Sequence, residues 1–236
     1  SGEKTTSLSF CLSMVCEKDV RMTSPHIPRL HCLTSDRVSI DPTAQAERLC
    51  AAGARCIQLR MKSADDLSWL QAARQVKEVC RLHGAIFVVN DSIEVALASG
   101  ADGVHLGQGD GSPEQARSQL GEDVLVGVTV HNREEAEQAI ASESIDYWGI
   151  GPFRQSPTKG DFLPALDASD LDALLALAGE VPAVVIGGVA ESDVSELMGR
   201  GAHGVAVCST LFTSDDLEGN LKGLLAACEK AMEKAA

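Results

Sequence analysis

The chain is short of positive charge: 20 Lys and Arg stand against 34 Asp and Glu, a formal net charge of −14 over 236 residues. That deficit excludes a general nucleic-acid or anionic-membrane binder, because such proteins answer phosphates with surplus Lys and Arg. An anionic small-molecule substrate would need a local basic pocket. No apolar run approaches the roughly 20 residues of a membrane-spanning helix. No CxxC pair exists among the eight cysteines (11, 16, 32, 50, 56, 80, 208 and 228). They are scattered, several on core-facing positions such as Cys56 in "RCIQL", and read as reduced thiols of a cytosolic protein. Glycine is missing from "LTSDRVSIDP" after the first apolar run, which removes the dinucleotide-binding fingerprint.

The first residues carry little fold signal. Ser1-Gly2 reads as a tag scar, and "SLSFCLSMVC" runs into charged residues without a good cleavage site, which argues against a secretory signal. The expectation is an N-terminal extension over 1–28 and one domain over 29–236.

What is present is alternation. Eight short β-branched runs (Leu30–Thr34, Cys56–Arg60, Ile86–Val89, Gly103–Leu106, Val124–Val128, Tyr147–Ile150, Ala183–Ile186 and Gly204–Val207) are separated by stretches of helical period. Ala64–His83 carries Leu67, Leu70, Ala73, Val76, Val79 and Cys80 at spacings expected of one helix face. The helix-to-strand junctions "AAGARCIQL", "ASGADGVHL" and "GRGAHGVAV" resemble one another. Each ends its helix near a glycine (Gly53, Gly100, Gly201), the residue that takes a left-handed backbone without a Cβ penalty. Strands this apolar are buried on both faces and parallel. Eight βα units predict an α/β fold, a single (β/α)8 TIM barrel, with an open doubly wound sheet as the alternative.

In such a barrel the chemistry collects where strands end. In "QLRMK" the alternating Gln58, Arg60 and Lys62 project to one side, an amide and two cations suited to an anionic ligand with a hydrogen-bonding ring. Asn90 and Asp91 follow the third strand and Asp110 follows the fourth. Neighbouring strands lie about 4.8 Å apart, so both carboxylates can reach one hard cation such as Mg2+. The bland alternative is that each caps the helix after it. Thr129 and His131 follow the fifth strand, with Asn132 as the cap of "REEAEQA". The longest break, after Ile150, holds Ser156, Pro157, Thr158 and Lys159 among glycines and prolines, a composition suited to a phosphate and to a hinged lid. Gly187-Gly188 and Cys208-Ser209 after the last two strands fit the recurrent phosphate site of this fold. Two phosphate-handling regions in one mouth suggest a two-substrate transferase.

Taken together, "QLRMK", "VNDSIEVALASGADGVHLGQGD", "GVTVH", "GIGP…SPTK" and "IGGV…GAHGVAVCS" resemble the thiamine-phosphate synthase family, in order, from residue 30 to about residue 212. The resemblance implies condensation of a hydroxymethylpyrimidine pyrophosphate with a thiazole phosphate, Mg2+ as cofactor, small-molecule partners only, a cytoplasmic setting and a homo-oligomer as an option. It implies that Gln58 to Lys62, Asn90, Thr129 and Lys159 hold the pyrimidine pyrophosphate. Asp91 and Asp110 would hold the metal, and Ser156, Pro157, Thr158, Gly188, Cys208 and Ser209 the thiazole phosphate. The chain departs from the family pattern at Ser156 (usually Thr), Thr129 (usually Ser), Gly109 (usually acidic) and Cys208 (usually aliphatic). Two other readings are a thiazole tautomerase with His131 as base, and a silent barrel that senses thiamine phosphates.

Overall fold

The structure is a computed structural model that describes residues 26–62, 65–155 and 164–235. Strands and helices alternate along them: β1 (Leu30–Leu33), α1 (Pro42–Ala51), β2 (Cys56–Leu59), α2 (Asp66–His83), β3 (Ile86–Asn90), α3 (Ile93–Ser99), β4 (Gly103–Leu106), α4 (Pro113–Leu120), β5 (Leu125–Val130), α5 (Arg133–Ile140), β6 (Tyr147–Ile150), α6 (Ala168–Ala178), β7 (Ala183–Ile186), α7 (Val194–Gly199), β8 (Gly204–Val207) and α8 (Leu217–Ala235). Short 3-10 turns at Glu191–Asp193 and Ser209–Phe212 precede α7 and α8. All strands are parallel and pair in chain order. β1 closes on β8 through Leu30↔Val205, His31↔Ala206 and Cys32↔Val207. The open-sheet alternative is therefore excluded.

Alternation divides each strand between two cores. Ile57, Leu59, Phe87, Val89, Val104, Val126, Val128 and Trp148 face the helices and join the main apolar cluster. Leu33, Leu125, Tyr147, Val184 and Ala206 face inward and pack with Ile27 along the barrel axis. Each aliphatic side chain so buried contributes on the order of 1.5–3 kcal/mol. No helix among the described residues is long and apolar enough to cross a membrane.

The expected elements are present, and the differences at their ends have local causes. β1 stops at Leu33 and β2 at Leu59 because the Arg60 amide donates to the Thr34 hydroxyl (3.0 Å) instead of to a backbone carbonyl. β5 begins one residue later than expected and runs on to Val130, since Thr129 and Val130 pair with Gly149 and Ile150. Thr129 thus lies within the strand, not after it. α2 starts at Asp66, with the Asp65 carboxylate accepting from the amides of Leu67 and Ser68. Leu67 is not on its buried face but 76% exposed. A run of i+3 steps drifts around a helix, so six residues before Ala73 the side chain has turned away by about 120°. Trp69, four residues before Ala73, takes the inward place.

The rim at the strands' N-terminal ends is tied by one cation. The Arg117 guanidinium, buried on α4, donates to the carbonyls of Gly121 (2.9 Å), Glu122 (3.2 Å), Val124 (2.6 Å) and Ser144 (3.1 Å). It also pairs with Asp146 at 2.6 Å, and Asp146 accepts the Val126 amide at 2.7 Å. At the same end Ile27 closes the floor of the interior. Its carbonyl bonds the His203 ring at 2.8 Å, and the His203 carbonyl accepts from Arg29 at 2.6 Å.

Candidate active site

At the opposite rim β3 and β4 end side by side, with Asn90 paired to His105. The Asp91 amide carries the ladder one step further by donating to the His105 carbonyl at 2.8 Å, and there the backbone turns to φ 73°. Asp91 is the one non-glycine residue with positive φ among the described residues. Aspartate tolerates that region better than most residues, and the turn swings its carboxylate toward the barrel mouth. The Lys62 ammonium is hydrogen-bonded to it. Asp110 folds back so that its Oδ2 accepts the Gly107 amide at 2.8 Å. A Cβ at position 107 would lie 2.8 Å from that same oxygen, so a side chain there would have to displace the Asp110 carboxylate from the Gly107 amide.

Neither carboxylate caps a helix. The cap of α3 is Ser92, whose hydroxyl accepts the Val95 amide at 3.1 Å, and the cap of α4 is Ser112, bonded to Gln115 at 3.1 Å. Burial, and next the adjacent Asp91 carboxylate, raise the Asp110 carboxyl above the usual carboxylate range. Two anions pressed together in a half-buried position with only oxygen donors fit a hard divalent cation. Among the described residues no cluster of three His, Cys, Asp or Glu stands ready to hold a metal. Mg2+ ordinarily asks only for one or two carboxylates, with water and substrate phosphate completing its shell.

The raised Asp110 carboxyl, which burial causes first and Asp91 second, has a consequence for stability. A carboxyl whose folded pKa is raised holds its proton longer when folded, so its ionisation costs stability as pH rises through that pKa. Without added metal, Asp110→Asn at pH 7 is therefore expected to raise Tm by roughly 1–3 °C, small because solvent screens a half-exposed group. The amide oxygen can still accept from Gly107. Thermal melts check this; a fall in Tm would mean that the pair is already neutralised within the protein.

The cations sit one strand over. Gln58 and Arg60 are 2% and 8% exposed and point inward. Gln58 Oε1 is buried and has no hydrogen-bond partner among the described residues. Asp36 sets this edge, accepting the Lys62 amide at 3.0 Å and lying 3.9 Å from the Arg60 guanidinium. Asn90, on the neighbouring strand β3, and Thr129, on β5, are buried as well.

The second expected region lies across the mouth. Phe153 and Arg154 zip onto the end of β7, their amides donating to the carbonyls of Ile186 and Gly187 at 2.8 Å. Gly151, Gly187 and Gly188 permit this approach. A Cβ at 187 would lie 2.7 Å from Pro152, and one at 188 would lie 2.9 Å from Arg154. Arg154 holds the Gly188 carbonyl at 3.1 Å and pairs with Asp193, keeping that carboxyl below its usual range. Ser209 opens the 3-10 turn after β8. Cys208 turns its thiol to the Thr34 carbonyl at 3.6 Å, and burial pushes the thiol up. Ser156, Pro157, Thr158 and Lys159 lie outside the described residues.

His131 is held by one carboxylate, and its Nε2 is buried with no hydrogen-bond partner among the described residues. Its Nδ1 meets Glu135 at 2.9 Å, and the same carboxylate accepts the His131 amide at 2.7 Å. Asn132 caps α5, as its sequence position suggests. Sequence reasoning missed Asp36, His105, Gln108, Glu135 and Tyr147. For His105 a signal existed: it is a polar residue at an inward-alternating position in the middle of β4. Beside Gln108 and Glu135 a cavity of about 230 Å3 opens between α4 and α5, lined also by Glu114 and Gln138. Its acidic lining has the wrong sign for a phosphate.

Comparisons with known proteins bear on the family and the fold. The sequence model described as "Thiamine monophosphate synthase" matches residues 30–211. The thiamine-phosphate synthase of Laribacter hongkongensis is 42% identical over 170 residues, 72% of this chain and 79% of that protein. The one from Chlorobium phaeobacteroides is 35% identical over 193 residues, 82% and 93% of the two chains. Among solved structures, thiamine phosphate pyrophosphorylase from Pyrococcus furiosus superposes with a TM-score of 0.77 at 26% identity, covering 86% of this chain and 96% of that one. None of these three bears the name of a tautomerase or a sensor. With its closed barrel, its paired carboxylates and these relatives, the chain belongs to the thiamine monophosphate synthase family of transferases.

Proposed function

We propose that the enzyme joins 4-amino-2-methyl-5-hydroxymethylpyrimidine pyrophosphate to a thiazole phosphate, giving thiamine phosphate and pyrophosphate, with Mg2+ as its cation. The observation that carries this reading is the meeting of Lys62, Asp91 and Asp110 past the ends of three adjacent strands, β2, β3 and β4, with both helix caps supplied by serines.

Bond breaking places negative charge on the departing pyrophosphate, and fixed opposite charge at that point lowers the barrier. Arg60 and Lys62, braced by Asp36, supply it from the protein, with Lys159 proposed beside them. A bound Mg2+, held by Asp91 and Asp110, would add positive charge at the same phosphates. The unpartnered Gln58 Oε1 offers an acceptor for the amino group of the pyrimidine, whose electron-rich ring supports the cation left behind. The thiazole nitrogen then forms the new C–N bond, and orientation does much of the work. Gly188, Ser209 and the backbone at Cys208 are proposed to hold the thiazole phosphate, with Ser156, Pro157 and Thr158 closing over it. No protein nucleophile is required.

The test is direct. Both substrates and Mg2+ are mixed with the protein, and pyrophosphate and thiamine phosphate are followed. One of each per turnover is expected, with loss of activity on chelation and recovery with Mg2+. Turnover of the thiazole alone, or binding of both substrates without product, would overturn the assignment.

A further inference from the structure

Below the carboxylates the barrel interior holds a polar chain that the reaction above does not use. Tyr147 is fully buried at the start of β6, and its hydroxyl lies 3.1 Å from His105 Nδ1. The other ring nitrogen of His105 lies 2.9 Å from the Thr129 hydroxyl. Gly127 pairs with both His105 and Tyr147, and Thr129 stands two residues nearer the mouth on the same strand. The chain therefore climbs the barrel axis from the lower core to the substrate side.

Two glycines make room for it. A Cβ on Gly127 would overlap the Tyr147 ring, and one on Gly149 would lie 2.8 Å from His105 Cε1. The two rings sit 5.4 Å apart, tilted by 32°.

The polarity of the chain follows from counting hydrogens. Burial holds Tyr147 as a neutral phenol with one hydrogen to donate. Its one hydrogen bond among the described residues is to His105 Nδ1. A buried donor left without an acceptor is strongly disfavoured, so Tyr147 donates and Nδ1 accepts. The ring proton is then on Nε2 and is donated to Thr129 Oγ1. An oxygen that accepts there has its own hydrogen left over, in a residue at the barrel mouth.

We infer that Tyr147 and His105 are positioning residues that fix the Thr129 hydroxyl as a hydrogen-bond donor, selecting a ligand that presents an acceptor atom, such as a ring nitrogen of the pyrimidine. The identity of that ligand rests on the function proposed above; the polarity of the relay does not.

Two measurements test it. Nitrogen-15 spectra of the ligand-free protein are expected to show His105 protonated at Nε2 and bare at Nδ1; the opposite tautomer overturns the relay, whatever the enzyme turns over. In kinetics, Tyr147→Phe removes one oxygen and keeps the ring. It is expected to raise KM for the pyrimidine substrate on the order of tenfold, the weight of one hydrogen bond, with KM for the thiazole unmoved. Thr129→Val is expected to do the same, Thr129→Ser to restore the wild-type value, and the Tyr147→Phe, Thr129→Val double variant to be no worse than either single one. Additive losses, or a Tyr147→Phe effect on Tm without one on KM, would reduce the chain to packing. An Nε2–H ring with neither KM nor Tm altered in Tyr147→Phe would keep the tautomer and overturn the pyrimidine as the ligand it selects.

Discussion

Asp91→Asn is expected to lower turnover on the order of 10²–10³-fold, the loss typical when a fixed charge at a developing anion is removed. Melting temperature should move by no more than a degree or two, as for a surface change away from the core. Asparagine is the right probe because of the backbone. Position 91 sits at φ 73°, a region asparagine shares with aspartate, whereas alanine there adds about 1–2 kcal/mol of strain. Asp91→Ala would therefore confound lost charge with a disturbed strand end. The Asn variant keeps the amide that donates to His105 and deletes only the charge shared with Lys62 and Asp110. Steady-state pyrophosphate release measured across a Mg2+ titration is the assay. A wild-type rate with an unchanged Mg2+ requirement would remove both the metal role and the observation on which the proposed function stands.

The second large effect lies at the other end of the molecule. Arg117→Ala is expected to destabilise the fold by about 3–5 kcal/mol, because it strands the Asp146 charge and unties four carbonyls at once. In a domain of this size that is a fall in Tm on the order of 10 °C. Lysine should recover little of it, since one ammonium cannot span the loop carbonyls and the carboxylate together. Turnover per folded molecule at 25 °C should stay near wild type, since the latch and the carboxylate pair sit at opposite strand ends. A melting curve that overlays the wild type would show the network to be incidental.

The architecture was readable because it repeats. Glycine at 53, 100 and 201, followed by an apolar run, marks one junction three times, and all three glycines have positive φ. Alternation made Gln58 and Arg60 legible as buried polar positions at the end of β2, while Lys62, three residues past that strand, is exposed. Asp91 and Asp110 were ambiguous in sequence. Their neighbours Ser92 and Ser112 are equally good caps, and only the three-dimensional turn shows that the serines take the capping positions. Leu67 misled because spacing by threes mimics a face over two steps and leaves it over a longer run. His105 and Tyr147 were passed over for another reason: in a buried strand their rings count as apolar bulk, and their meaning comes from two glycines on neighbouring strands.

The floor residue Ile27 gives the molecule the character of a stoppered cup. Its carbonyl is riveted to His203, while the neighbouring Pro28 carbonyl holds the His31 ring at 3.0 Å. Among the described residues Ile27 thus covers the Tyr147–His105 pair from beneath, and the opposite side is the one that substrate would fill. Saturating ligand should seal the vessel and slow solvent exchange of the His105 ring proton far below its rate in the empty protein. Trimming the chain past Ile27 would unstop it from beneath without touching a single residue at the opposite rim.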